Sequence, residues 1–351
     1  MDLTERLIFR WADFPPLTEL PGSGGTLRSV PEDFEVEEVP LYLPQGSGSH
    51  FYMRVQKRGL TTRDLVVALL GQGLKEQEIG VAGLKNKYAL TTQWLSVPQR
   101  HAAAVSALEA LEGVTVLETS HHKNKLGIGH LRGNRFSVQV RDVGPGGASA
   151  AQEVLDDLET HGVPNYFGPQ RFGRFGTNAV DGHKLIRGEA VPGGHRLKRF
   201  FVSALQSLLF NHLLARRLEA GLFDRIVIGD WAKKHDTGGV FELKDAVETE
   251  RAQRFEISAT LPLYGKKVQV SAAAAGELEA ATLAHYSVTW QDFRSRHGDR
   301  RLSRLPFSGT LTPNEAGYRL AFTLPKGAFA TSVLREVMKT NVDVAEDVEE
   351  A

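Results

Sequence analysis

Apolar and polar positions alternate along this chain with two different periods. Period-2 alternation and β-branched or aromatic runs predict strands at Gly25–Val30, Glu35–Val39, His50–Gln56 (HFYMRVQ), Ile79–Ala82, Thr92–Val97, Val114–Glu118 and Phe136–Val140 (FSVQV). Helical spacing predicts helices over Thr62–Leu70, with Thr61 or Thr62 as N-cap, over Ala103–Leu111 and over Ala150–Thr160. Gly144–Ser149 (GPGGAS) reads as a linker. Beyond about residue 160 the pattern changes. A long apolar-periodic helix covers Phe201–Leu218, strands fall at Phe255–Leu261 and Lys267–Val270, and a helix at Glu277–His285. Strand character returns at Tyr318–Leu324, before a helix over Thr331–Lys339. A middle unlike both ends predicts one domain inserted into a loop of another.

Composition narrows the function classes. The chain has 351 residues and no cysteine, which excludes disulfides, thiolate catalysis and Cys-ligated metals. The start, Met1-Asp-Leu-Thr-Glu-Arg, lacks signal-peptide character, and the apolar run Leu65–Leu70 is far short of the ~20 residues of a membrane span. A cytoplasmic protein with no membrane partner is expected. Lys plus Arg and Asp plus Glu both total 42, a neutral sum that by itself speaks against a polyanion partner.

The distribution reverses that inference. Pro31–Glu38 carries five acids and no base, and Glu336–Ala351 six acids against Lys339. His121–Phe136 has Lys123, Lys125, Arg132 and Arg135 with no acid; Gln170–Arg199 has seven bases against two acids; Asp292–Arg304 has five arginines. Basic windows interleaved with glycine and aromatics suit a phosphate-binding surface, and the folded surface is expected to be dipolar.

Five segments carry candidate chemistry. Ala82–Trp94 (AGLKNKYALTTQW) sets Asn86 between Lys85 and Lys87 on a short loop. His121–Phe136 (HHKNKLGIGHLRGNRF) combines bases with Gly127, Gly129 and Gly133; its histidines lack metal-ligand spacing, Asn134 suits a base edge and Phe136 a base face. Asn165–Gly173 (NYFGPQRFG) is an irregular aromatic loop. Ser203, Gln206, Ser207 and Asn211 form a polar stripe that either lines a cleft or faces solvent. Leu324–Ser332 (LPKGAFATS) leads into the last helix. The acids of Pro31–Glu38 show no readable pair for glycoside hydrolysis.

Together with Pro31–Phe34 and Arg300–Leu302, these segments resemble the TruD family of RNA pseudouridine synthases over nearly the whole chain. The resemblance implies an α+β fold: a pseudouridine-synthase catalytic domain with a mixed, largely antiparallel sheet, built from 1–159 and 307–351, and an inserted α+β TRUD domain at 160–306, the two flanking a basic cleft. It implies a monomer that binds tRNA, uses no cofactor or metal, and isomerises uridine 13, notably of a glutamate tRNA. The family's catalytic Asp falls at Asn86. Phe136 is then expected to stack on the flipped base, with Asn134 contacting the reacting nucleotide, Arg28 and Lys85 beside the catalytic group or phosphate, and Phe329 walling the pocket. Lys123, Lys125, Arg132, Arg171, Arg199, Arg300 and Arg301 are the expected RNA contacts.

An amide is neutral and a poor nucleophile, yet nearly isosteric with carboxylate. The chain as written is therefore expected to bind RNA without modifying it. Either an introduced Asp→Asn exchange or a natural non-catalytic tRNA-binding or tRNA-folding relative accounts for the pattern.

Overall fold

The structure, a computed structural model, describes residues 2–245 and 248–340; most of the acidic tail lies outside them. In chain order the strands are β1 (Phe34–Pro40), β2 (His50–Arg58), β3 (Gly80–Val81), β4 (Leu90–Pro98), β5 (Val114–His122), β6 (Leu131–Arg141), β7 (Val163–Pro164), β8 (Trp231–Lys234), β9 (Val240–Glu242), β10 (Ile257–Leu263), β11 (Asp299–Leu302), β12 (Arg304–Leu305), β13 (Gly309–Asn314) and β14 (Gly317–Pro325). The helices are α1 (Leu3–Arg6), α2 (Thr62–Leu70), α3 (Val105–Glu109), α4 (Gly147–His161), α5 (Asn178–Ile186), α6 (His195–Glu219), α7 (Thr249–Gln253), α8 (Ala273–His285) and α9 (Ala330–Met338).

These elements pack as two compact units. One holds 23–152 and 308–330; the other holds 2–22, 153–307 and 331–340. The expected division, 1–159 with 307–351 against 160–306, is thus drawn differently at both ends. The last helix explains why. On α9, Arg335 donates to the carbonyls of Trp11 (2.9 Å) and Phe14, Glu336 accepts the Leu17 amide at 2.9 Å, and Ser332 donates to the Tyr166 carbonyl at 3.0 Å. Residues 2–22 and α9 are thus tied to each other and to the middle segment, Phe9 N also donating to the Gly176 carbonyl at 2.9 Å. Gly144–Ser149 is no linker either, because it runs into α4 and the units divide inside that helix.

The first unit is built on a mixed sheet in the order β13-β14-β6-β1-β4-β2-β5, with β3 paired to β4. Only β1 and β4 run parallel. The α2 helix starts at Thr61, whose hydroxyl and the Asp64 carboxylate form a capping box, and it lays Leu65, Val66 and Leu69 on Met53, Val55, Leu95 and Val97. Gly25–Val30 does not become a strand. It makes a single bridge, Thr26 to Arg141, and Arg28 turns the chain out of extended geometry with φ 59°. In the second unit an antiparallel sheet, β11-β10-β8-β9, packs against α6. Lys267–Val270 forms no strand there, since Lys267 itself adopts φ 67°.

The acidic window sits on the central strand β1 and the turn before it, and every one of its acids meets a cation. Glu32 pairs with Arg58, Asp33 with Arg141 (2.7 Å), Glu35 with Arg319 (2.9 Å), Glu37 with Arg54 and Arg135 (2.6 and 2.9 Å) and Glu38 with Lys85 (3.0 Å). The window is an ion-pair ladder rather than a negative face.

Two predictions follow from this packing. Gly133 is a cross-strand partner of Pro325, and a Cβ there would stand 2.0 Å from the Leu324 carbonyl oxygen. Gly133→Ala is expected to cost at least about 2–3 kcal/mol in urea unfolding. Asp33 is buried, which raises its pKa, but Arg141 and the amides of Val30 and Ser29 outweigh burial and hold it below the ordinary value. A depressed carboxylate contributes stability above its unfolded pKa of about 3.9 and loses it as pH falls through the folded value. Unfolding measured from pH 6 down to pH 2 should therefore fall less steeply for Asp33→Asn, which starts less stable at pH 6.

Candidate active site

On β2 the inward positions run Phe51, Met53, Val55 and then Lys57, which is fully buried. Lys57 Nζ donates to the carbonyls of Leu60 (2.5 Å), Asn86 (2.9 Å) and Lys85 (3.3 Å). At the start of α2, the Thr62 hydroxyl accepts the Lys85 amide (2.8 Å) and bonds Gln93 Oε1 (2.9 Å). The Lys85 ammonium folds inward onto Glu38 Oε2 at 3.0 Å, while Glu38 Oε1 accepts the Trp94 amide at 3.4 Å. Gly83 leaves room for this fold-back; a Cβ there would lie 3.2 Å from Lys85 Nζ, a tight contact. The main chain of 85–86 is thus fixed from below by two lysines and a hydroxyl. Asn86, Lys87 and Tyr88 are left exposed, and among the described hydrogen bonds none involves the Asn86 side chain.

Beside this loop, β1 and β6 bring Glu38 opposite Asn134 and Val36 opposite Phe136. Four buried polar atoms without a partner belong to this part of the sheet: Thr91 Oγ1, Gln93 Nε2, Asn134 Oδ1 and Arg28 Nε. Burying such groups unpaired costs about 1–3 kcal/mol each, which fits a surface built to meet a polar ligand. Arg28 lies 4.3 Å over the Phe34 ring, and burial pulls its pKa down to about 10. Phe34 meets Phe136 edge-on at 6.2 Å, and Phe136 stacks on Phe322 at 5.2 Å.

The family model described as tRNA pseudouridine synthase D (TruD) matches residues 16–193 and 189–337. A protein named tRNA pseudouridine synthase D from Thermus thermophilus is 50% identical over 336 residues, 95% of this chain and 94% of its own. A second of that name, from Anaeromyxobacter dehalogenans, is 47% identical over 96% of this chain and 99% of its own. The chain belongs to the tRNA pseudouridine synthase D family. The fold agrees: the crystal structure of a candidate family member from Methanosarcina mazei superposes with TM-score 0.75 at 24% identity, covering 97% of this chain and 98% of that one.

Within this family frame, the structure brings Lys85, Asn86, Asn134, Phe136 and Arg28 into one unit, and it shows what the expected residues touch. Lys85 does not flank residue 86 as a free cation, because its charge is spent on buried Glu38. Phe136, 7% exposed, is part of an aromatic wall with Phe34 and Phe322. Arg300 is an internal tie: it pairs with Glu279 at 3.0 Å and donates to Thr260, Gln269 and Ser271. Arg301 likewise binds Asn165 and lies 4.2 Å over Phe167, with burial lowering its pKa to about 9. Arg171 is also pulled down by burial and sits over Phe167 and Phe200. Lys125 donates to the Gln77 carbonyl, whereas Lys123, Arg132 and Arg199 are exposed. Phe329 is half-buried.

Of the polar stripe on α6, Gln206, Ser207 and Asn211 are buried and Ser203 is half-buried. Gln206 holds the carbonyls of Tyr264 (2.5 Å) and His297 (2.8 Å), and Asn211 pairs with both the amide and the carbonyl of Phe167. No helix among the described residues is long and apolar enough to cross a membrane. Sequence reasoning missed Lys57, Thr62, Gln93 and Glu38. The available signal was a lysine continuing an apolar period-2 run.

Lys57→Met would leave three carbonyls without this donor and is expected to cost about 3–5 kcal/mol by urea unfolding. In a protein carrying Asn86→Asp it should lower kcat while leaving RNA affinity within a few-fold.

Proposed function

We propose that this protein acts on tRNA as a pseudouridine synthase fold, with residue 86 as the reacting position and uridine 13, notably of a glutamate tRNA, as its target. The carrying observation is the loop at 83–88. It presents an exposed side chain at 86 from a main chain clamped by Lys57, Thr62 and the Lys85–Glu38 pair. Such a clamp suits a group that must meet a sugar carbon in fixed geometry.

With Asp at 86, the carboxylate acts at the sugar while the N1–C1′ bond breaks to free the uracil anion. As nucleophile it bonds C1′ and is displaced when C5 attacks; as base it takes a sugar proton that is returned when C5 adds. The uracil turns, the C5–C1′ bond forms, and the C5 proton is then removed while N1 is left protonated, so the product is an isomer of the substrate. The target nucleotide leaves its stack to reach this position. Arg28 Nε and Asn134 Oδ1, both buried without partners, supply hydrogen bonds to the nucleotide, and Phe136 with Phe34 forms the apolar wall. Exposed Lys123, Arg132 and Arg199 meet phosphates. Asn86 removes the charge and the nucleophile and leaves the clamp untouched, so this chain binds tRNA and does not turn it over. That feature also favours the second reading, a tRNA-binding or tRNA-folding protein without chemistry.

Pseudouridine formation in a glutamate tRNA transcript separates them. Asn86→Asp is expected to convert uridine 13, with the Asn86 form slower by at least about 10³-fold. No product from Asn86→Asp on any tRNA, with salt-sensitive binding retained, favours the binding module. Robust turnover by the Asn86 form refutes the role of residue 86.

A further inference from the structure

We propose that Ile128 is an apolar wedge that enters the RNA stack and holds the target nucleotide out. This rests on the tRNA reading above. Between β5 and β6 the chain returns through Leu126, Gly127, Ile128, Gly129, His130 and Leu131. Leu126 and Leu131 are buried in a cluster with Tyr52, Ala82 and Trp94, whereas Ile128 is 74% exposed.

A single exposed aliphatic side chain is ordinary on a floppy loop. This one crowns a turn tied on every side. Leu126 N donates to Ser96 Oγ at 2.9 Å, and His130 N to the Gly127 carbonyl at 3.0 Å. His130 Nδ1 meets the Gly127 amide (3.2 Å) and the Tyr42 hydroxyl (2.8 Å), while the His130 carbonyl accepts Leu41 N at 3.2 Å. Gly129 has φ 84°, a conformation isoleucine's neighbour can adopt cheaply only as glycine.

The turn is also coupled to the reacting loop. Gly129 N donates to the Ala82 carbonyl at 2.8 Å, and Asn86 lies four residues further on, at most about 14 Å of chain. Lys326 Nζ reaches the Gly129 carbonyl at 3.3 Å, and exposed Arg132 lies four residues beyond Ile128. An isoleucine on a rigid support, with cations near it for the backbone, matches the apolar wedges that proteins place between base steps. Occupying the vacated stack would stabilise the flipped state of a nucleotide presented to residue 86.

The test uses a glutamate tRNA transcript carrying 2-aminopurine beside uridine 13. The Asn86 chain permits equilibrium measurement, because product does not accumulate. The fluorescence rise at saturating protein should be largely lost in Ile128→Ala and kept in Ile128→Leu, with the anisotropy Kd changed less than about 3-fold. In the Asn86→Asp background, Ile128→Ala should lower kcat by roughly 30-fold on folded tRNA. It should recover to within a few-fold on an RNA whose target uridine is already unpaired and unstacked. Unchanged fluorescence and kcat, or an equal loss on both RNAs, overturns the wedge alone. Absence of binding by the unsubstituted chain overturns the tRNA reading and the wedge with it.

Discussion

An acidic strand stands at the centre of the larger sheet, and the rest of that unit is arranged to neutralise it. β1 is hydrogen-bonded on both sides, so its glutamates cannot move away from one another. Cations arrive from β2, β6, β14 and the 83–88 loop to meet them. The exposed pairs contribute little, about 0–1 kcal/mol each. The buried pair is different. Glu38 and Lys85 have side chains only 1% and 5% exposed, and removing either would leave an uncompensated buried charge, typically costing 3–5 kcal/mol. The loop that carries residue 86 is therefore held where it is by the charge of the strand beneath it.

This division of labour explains how Asn at 86 coexists with an intact fold. The loop is positioned through the amide and carbonyl of Lys85, the carbonyl of Asn86 and the ammonium of Lys85. The side chain at 86 contributes nothing to those ties. Asparagine and aspartate would be presented alike, and the difference between them is confined to charge and nucleophilicity.

Much of the larger sheet was legible because its strands obey a period of two and its first helix carries a capping box. Glu35–Val39, His50–Gln56 and Thr62–Leu70 fall inside β1, β2 and α2. Gly25–Val30 failed because Arg28 adopts a left-handed conformation that composition does not announce. The compact units are drawn differently from the expected domains for another reason: α9 belongs with residues 2–22 through contacts such as Glu336 to Leu17, more than 300 residues apart in sequence. The site was half legible. Its motif residues stood out, but the cluster under them did not, because Thr62, Gln93 and Glu38 look like ordinary polar positions until the register places them together.

Counting charges by window went furthest astray, and burial says why. In Asp292–Arg304, Arg300, Arg301 and Arg304 are consumed inside their own unit. Arg304, only 1% exposed, holds carbonyls of His161 and Ala252, and burial lowers its pKa to about 10. A planar guanidinium with five donors is well suited to satisfying several carbonyls at once, so arginine-rich segments near irregular backbone serve the fold first. The window His121–Phe136, by contrast, leaves Lys123 and Arg132 to solvent. A neutral chain can thus keep a phosphate-binding surface. What matters is which cations lack internal work, and that is a property of the fold and not of the sum.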